Sequence, residues 1–148
     1  MRRFSRIFAW TTLFFVAGAV LFFTKAAALP YKVAWPVLLL SLAPFLSRRR
    51  ELLPFGFAFL FSAAGDAVGA RGLFIPQMAF FALAHVAYVC WFLPRARRRL
   101  RAVSLAVTVP LLVFLFAAIV PEAPFPAERI GVAVYGLVIA AMLYSALQ

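Results

Sequence analysis

Long apolar runs alternate along the chain with short breaks that carry charge, proline or both. A bilayer core of about 30 Å takes roughly 20 helical residues at 1.5 Å each. Apolar stretches of about that length lie at residues 7–24, 33–46, 52–68, 73–93, 103–120 and 130–147. The second is short and contains Pro36 and Pro44, so it must reach back toward Ala26, kink, or enter the bilayer only partway. The pattern predicts an all-α, polytopic transmembrane bundle of about six spans, forming a single transmembrane domain over residues 1–148. No internal repeat or low-complexity tract interrupts it, and the breaks are too short for a separate soluble domain.

Composition agrees with the pattern. With 67% hydrophobic and 13% charged residues, including 18 Phe, a chain of 148 residues could not hide its apolar surface from water. Its solvent is therefore lipid. The net charge of +11 does not point to nucleic acid, because the cations sit in short runs between apolar stretches rather than along a continuous face that could track phosphates. Topology explains them better. Arg2, Arg3, Arg6, Arg48, Arg49, Arg50, Arg95, Arg97, Arg98, Arg99 and Arg101 all fall on one side of a six-span arrangement, and only Lys25, Lys32, Arg71 and Arg129 fall on the other. Cationic segments are retained in the cytoplasm, so both termini are expected there, in a bacterial cytoplasmic membrane. A basic start, an apolar run and Ala26-Ala27-Ala28 also fit a cleaved secretory signal, but the run is long for one and a retained first helix is expected. The single cysteine, Cys90, rules out an internal disulfide and reads as a packing residue.

Ionisable groups inside the apolar runs cost about 2.5–3.5 kcal/mol each at a helix centre, which makes them functional candidates. Asp66 and His85 are the two. Ser62, Ala63 and Gly69 share the Asp66 face at helical spacing, and Gly65 and Gly69 form a small-xxx-small pair suited to close helix contact. Asp66 is therefore expected to point inward, the competing expectation being a hydrated helix end or an ion pair with Arg71. For His85 the competing expectation is a neutral imidazole bonded to a nearby carbonyl, with Tyr88 one turn later on the same face. One histidine in the chain argues against a zinc or di-metal hydrolase, and neither a metal nor a cofactor is expected. No Gly-x-Ser-x-Gly elbow, phosphate loop or dinucleotide fingerprint is present. A Ser62, His85 and Asp66 triad can be drawn, but Ser62 and Asp66 one turn apart are as easily a packing pair.

Three motifs in order carry a resemblance: Lys32 before the Leu-rich second span; Phe61-Ser62-Ala63-Ala64-Gly65-Asp66; and Phe80-Phe81-Ala82-Leu83-Ala84-His85-Val86-Ala87-Tyr88. With Val134-Tyr135-Gly136 in the last span, this set resembles the YhhN-like lysoplasmalogenase family. The resemblance implies an all-helical membrane enzyme that hydrolyses the vinyl-ether bond of lysoplasmalogen to a fatty aldehyde and a glycerophospho-alcohol. On the same basis the family positions carry over as Lys32, Gly65, Asp66, His85, Tyr88 and Tyr135, with Asp66 and His85 expected to be catalytic and Lys32, Tyr88 and Tyr135 to bind the lysophospholipid; Gly65, with Gly69 from its spacing, is expected to be structural. Two departures stand out. Val33 follows Lys32 where members usually carry Pro, and members usually continue into two further helices, so the chain reads as a shortened member or a truncated reading frame.

Vinyl-ether cleavage begins with protonation of the β-carbon, and the resulting oxocarbenium ion is captured by water before the hemiacetal collapses. A carboxylic acid in low dielectric holds its proton more tightly than one in water, which suits a donor near neutral pH. Asp66 is placed in that role, His85 as the group that positions or deprotonates water, and Lys32 as a contact for the lipid phosphate. His85 lies nine residues beyond Pro76, about 13 Å inward, whereas Asp66 lies near a span end, so the two are expected to share a cavity without touching. Two alternatives are a non-catalytic protein that binds lipid or a partner helix through Gly65 and Gly69, and a transporter component that relays protons through Asp66 and His85.

Overall fold

The computed structural model describes residues 2–23, 32–47 and 49–148. Among the described residues there are six α-helices and no strand: α1 (Arg2–Phe23), α2 (Trp35–Leu46), α3 (Leu53–Gly69), α4 (Phe74–Phe92), α5 (Arg101–Phe114) and α6 (Pro126–Ala146). Each predicted span overlaps one of these helices; the bounds agree within two residues for α2, α3 and α4, whereas α1 starts five residues and α6 four residues before the predicted span, and α5 ends six residues before it. Helix starts coincide with prolines whose missing N–H would have no partner in a first turn anyway: Pro36 in α2, Pro54 in α3 and Pro126 in α6. Beyond α5 the chain stays helical through a π turn, Leu115–Ile119, and a 3-10 turn, Val120–Glu122. Pro110 lies inside α5, one turn before that π segment.

Four stretches are long and apolar enough to cross a membrane: Arg50–Gly69, Phe74–Arg95, Arg101–Glu122 and Pro126–Ala146. At about 1.5 Å per residue, the 12 residues of α2 span only about 18 Å, short of a full crossing. The described apolar part of α1, Ala9–Phe23, is also below that length, so the number of full crossings is four to six. Of the three possibilities raised for the second span, extension back toward Ala26 falls outside the described residues. Pro36 starts the helix rather than kinking it, and Pro44 is accommodated in its interior.

Neighbouring helices pack in the order α1, α2, α3, α4, α6, α5, so α6 inserts between α4 and α5 and leaves α5 at the rim. What is buried is small: Ala58 and Ala84 are fully enclosed, and Gly56, Ala63, Gly65, Gly136, Ala140 and Ser145 join them. What is exposed is large, as Val113, Phe114, Phe125 and Ile130 show. α5 makes the inversion plain, with Ser104 and Thr108 inward and Val103, Leu105, Val107 and Val109 outward. In water such a surface would aggregate; in lipid there is no apolar drive between helices, and small residues let backbones approach while bulky ones meet the acyl chains. The chain is a multi-pass helical membrane protein.

The α3–α4 turn positions the candidate site. Gly72, at φ +72°, donates its N–H to the Gly69 carbonyl at 2.8 Å, and the Leu73 N–H reaches the Val68 carbonyl at 3.4 Å. This pair of bonds closes a Schellman motif, and the left-handed residue in it favours glycine. The tight closure folds α4 back along α3 and leaves Asp66 less than one turn from the helix end.

Candidate functional site

Antiparallel packing of α3 on α4 depends on residues without side chains. A Cβ on Gly69 would come within 2.5 Å of the Gln77 amide, and one on Gly65 within 3.1 Å of the Phe81 ring. At the far end of the pair the Phe55 and Trp91 rings meet with centroids 4.7 Å apart. The register steps evenly through these contacts, so His85 is level with Phe61, and Asp66 with Phe80. Asp66 and His85 are thus separated along the axes by five residues, about 8 Å. The sequence places His85 about 13 Å inward of Pro76 and Asp66 near its span end; in the structure Asp66 lies less than one turn from the end of α3.

Helical rotation of about 100° per residue puts Phe55, Phe59, Ser62 and Asp66 in one row along α3. The lower part of the row touches Tyr88 of α4, with ring centroids 5.6 Å away at Phe55 and 6.3 Å at Phe59. His85 lies 6.3 Å from Tyr88 and 5.6 Å from Tyr135 of α6, edge to face in both cases. One flank of the α3–α4 pair, closed on its far side by α6, therefore collects Asp66, His85, Tyr88 and Tyr135. All four are half-buried.

His85 is oriented by its own helix. Its Nδ1–H donates to the Phe81 carbonyl at 2.6 Å; a carbonyl only accepts, so Nδ1 carries the proton and Nε2 is the acceptor when the ring is neutral. The carbonyl contact weighed against a functional role is therefore present, and it leaves the other nitrogen available for chemistry. Arg49 pairs with Glu51 at 3.4 Å just before the start of α3, far from this flank. No hydrogen bond links Ser62, Asp66 and His85 among the described residues, so a serine triad is not assembled. Nor does any group of three His, Cys or carboxylate side chains come together there.

Lys32 is not on this flank. It is exposed just before α2, its Nζ 5.9 Å from the centroid of the Phe22 ring of α1. Nearby, on the opposite flank of α3–α4, an apolar groove of about 450 Å³ runs between Ala34, Trp35, Leu38, Leu60, Ala64 and Phe80. Gly65 and Gly69 do what their spacing predicted, by admitting Phe81 and Gln77. Gln77 itself was missed by sequence reasoning. Its signal was a polar residue in an apolar span, four and eight residues before Phe81 and His85 and so on the face turned to α3.

No curated protein and no solved structure matches the chain. A family model described as the YhhN family matches residues 23–148, which includes α2 to α6 and every residue of the Asp66–His85 flank. With its match covering most of the sequence, including all of α2 to α6, the chain belongs to the YhhN family.

Proposed function

We propose that the protein is a membrane hydrolase that cleaves the vinyl-ether bond of lysoplasmalogen, releasing a fatty aldehyde and a glycerophospho-alcohol. The observation that supports this reading is the flank of the α3–α4 pair where His85, its Nδ1 turned to the Phe81 carbonyl and its Nε2 left for chemistry, lies between Tyr88 and Tyr135, with the Asp66 carboxyl about 8 Å further along the helix axes. The Asp66 carboxyl donates its proton to the β-carbon, and the electron pair of the double bond forms the new C–H bond. Water then adds to the oxocarbenium carbon while His85 Nε2 takes the water's proton. His85 returns that proton to the glycerol oxygen as the bond from it to the hemiacetal carbon breaks, the hemiacetal hydroxyl gives its proton to the Asp66 carboxylate, and the aldehyde forms with both groups restored. The Tyr88 and Tyr135 rings flank His85 and present apolar faces to the alkenyl chain and to the cation that forms beside it. The substrate enters from the bilayer, in a bacterial cytoplasmic membrane, with both termini on the cytoplasmic side.

The test is direct. Purified protein incubated with lysoplasmalogen releases aldehyde trapped as a hydrazone, and in ¹⁸O-water the glycerol product stays unlabelled because the bond that breaks joins its oxygen to the alkenyl carbon, while the glycerol carbon keeps that oxygen. Absence of aldehyde from folded protein in lipid would overturn the assignment. A second reading, lipid binding without turnover, draws on the apolar groove of about 450 Å³ on the opposite flank, a size common for ligand sites. Saturable lysolipid binding with no product would favour it.

A further inference from the structure

One end of the bundle is far more basic than the other. Phe55 at the start of α3 packs on Trp91 at the end of α4, so the α2–α3 and α4–α5 connections share that end. The Arg97 N–H donates to the Gln148 carbonyl at 2.7 Å, which holds the α4–α5 connection against the residues that follow α6. Arg49, Arg50, Arg95, Arg97, Arg99 and Arg101 are all exposed there. Glu51 is the one acid beside them and is taken by Arg49 at 3.4 Å. Arg95 is held in place: its guanidinium lies 3.6 Å from the centroid of the Trp91 ring, and its Nη1 donates to the Trp91 carbonyl at 2.8 Å. Four of its five N–H donors remain for an external acceptor.

Cations at this density need counter-anions, and the surface beside them says which kind. Leu46, Leu93 and Leu100, each exposed, stand next to the arginines in sequence and continue the apolar belt of the helices. A soluble polyanion would meet that apolar rim unfavourably, whereas a lipid puts phosphate at the level of the arginines and chains at the level of the leucines. We propose that the arginine-rich end formed by the α2–α3 and α4–α5 connections is a binding surface for anionic phospholipid head groups of the leaflet it faces. The surface is separate from the Asp66–His85 cleft, and its occupancy does not depend on turnover.

The full chain is reconstituted into vesicles of phosphatidylcholine and phosphatidylglycerol in equal parts, gently extracted, and the lipid that remains bound is measured by mass spectrometry. Phosphatidylglycerol is expected to exceed phosphatidylcholine by at least about threefold. Raising salt from about 0.1 M to about 1 M, which shortens the screening length from roughly 10 Å to 3 Å, is expected to remove most of that excess. Replacing Arg95, Arg97, Arg99 and Arg101 together with Gln brings the ratio close to one, the same four as Lys keeps much of it, and Arg129→Gln at the other end leaves it unchanged. An even ratio for the unaltered protein, or a ratio insensitive to salt, overturns the proposal. So does stronger capture of single-stranded RNA than of phosphatidylglycerol in the same detergent. If the Gln variant does not fold, the salt series on the unaltered protein decides alone.

Discussion

The two flanks of the α3–α4 pair are built from the same two helices and have opposite character. On one side His85 meets Tyr88 and Tyr135 of α6, with Asp66 further along α3; on the other, Ala64 and Phe80 face Trp35 and Leu38 of α2 across a groove without a charged group in its wall. Rotation of 100° per residue is the cause, since Asp66 and the neighbouring Ala67 leave the same helix toward different neighbours. The titratable side chains lie on the first flank, and the wall of the second is apolar. The pair is kept together by Gly65 and Gly69, so a change there disturbs both flanks, whereas a change on one should spare the other.

The largest effect that would break this contrast is Asp66→Asn, which keeps shape and removes the proton donor. Aldehyde release is expected to fall about 10²- to 10⁴-fold with lysolipid binding retained; near-normal turnover would remove Asp66 from the mechanism. His85→Ala deletes the free Nε2 and should lower turnover about 10²-fold, with partial rescue by added imidazole as the sign that the lost group is a base. Gly65→Val drives a branched side chain into the Phe81 ring and should destabilise the helix pair by about 1–3 kcal/mol, measured by unfolding in mixed micelles. Both flanks then fail together. The smallest expected effect sharpens the contrast: Ala64→Phe fills part of the groove and should leave turnover per bound substrate within about twofold while weakening chain binding there.

Much of the cleft was legible before any helix was packed. Asp66 and His85 were conspicuous because ionisable groups in apolar spans are costly, and Gly65 and Gly69 because their spacing permits close approach. Gln77 escaped notice, since one uncharged polar residue near a span end carries little cost and only its packing against Gly69 gives it meaning. Lys32 was grouped with the others by its place in a motif. Sequence order could not reveal that it approaches Phe22 of α1 on the far side of α2, because that depends on which face α2 turns to α3.

The run of apolar residues by itself determined that this protein lives in lipid, which stretches are helical, and which end of the bundle is basic, for these follow from local composition and the thickness of a bilayer. Tertiary structure alone decided that α6 rather than α5 lies against α4, and with it that Tyr135 reaches His85 while Ser104 and Thr108 do not. Contacts between helices distant in sequence rest on how small and large side chains interlock, and one-dimensional periodicity carries no record of that choice.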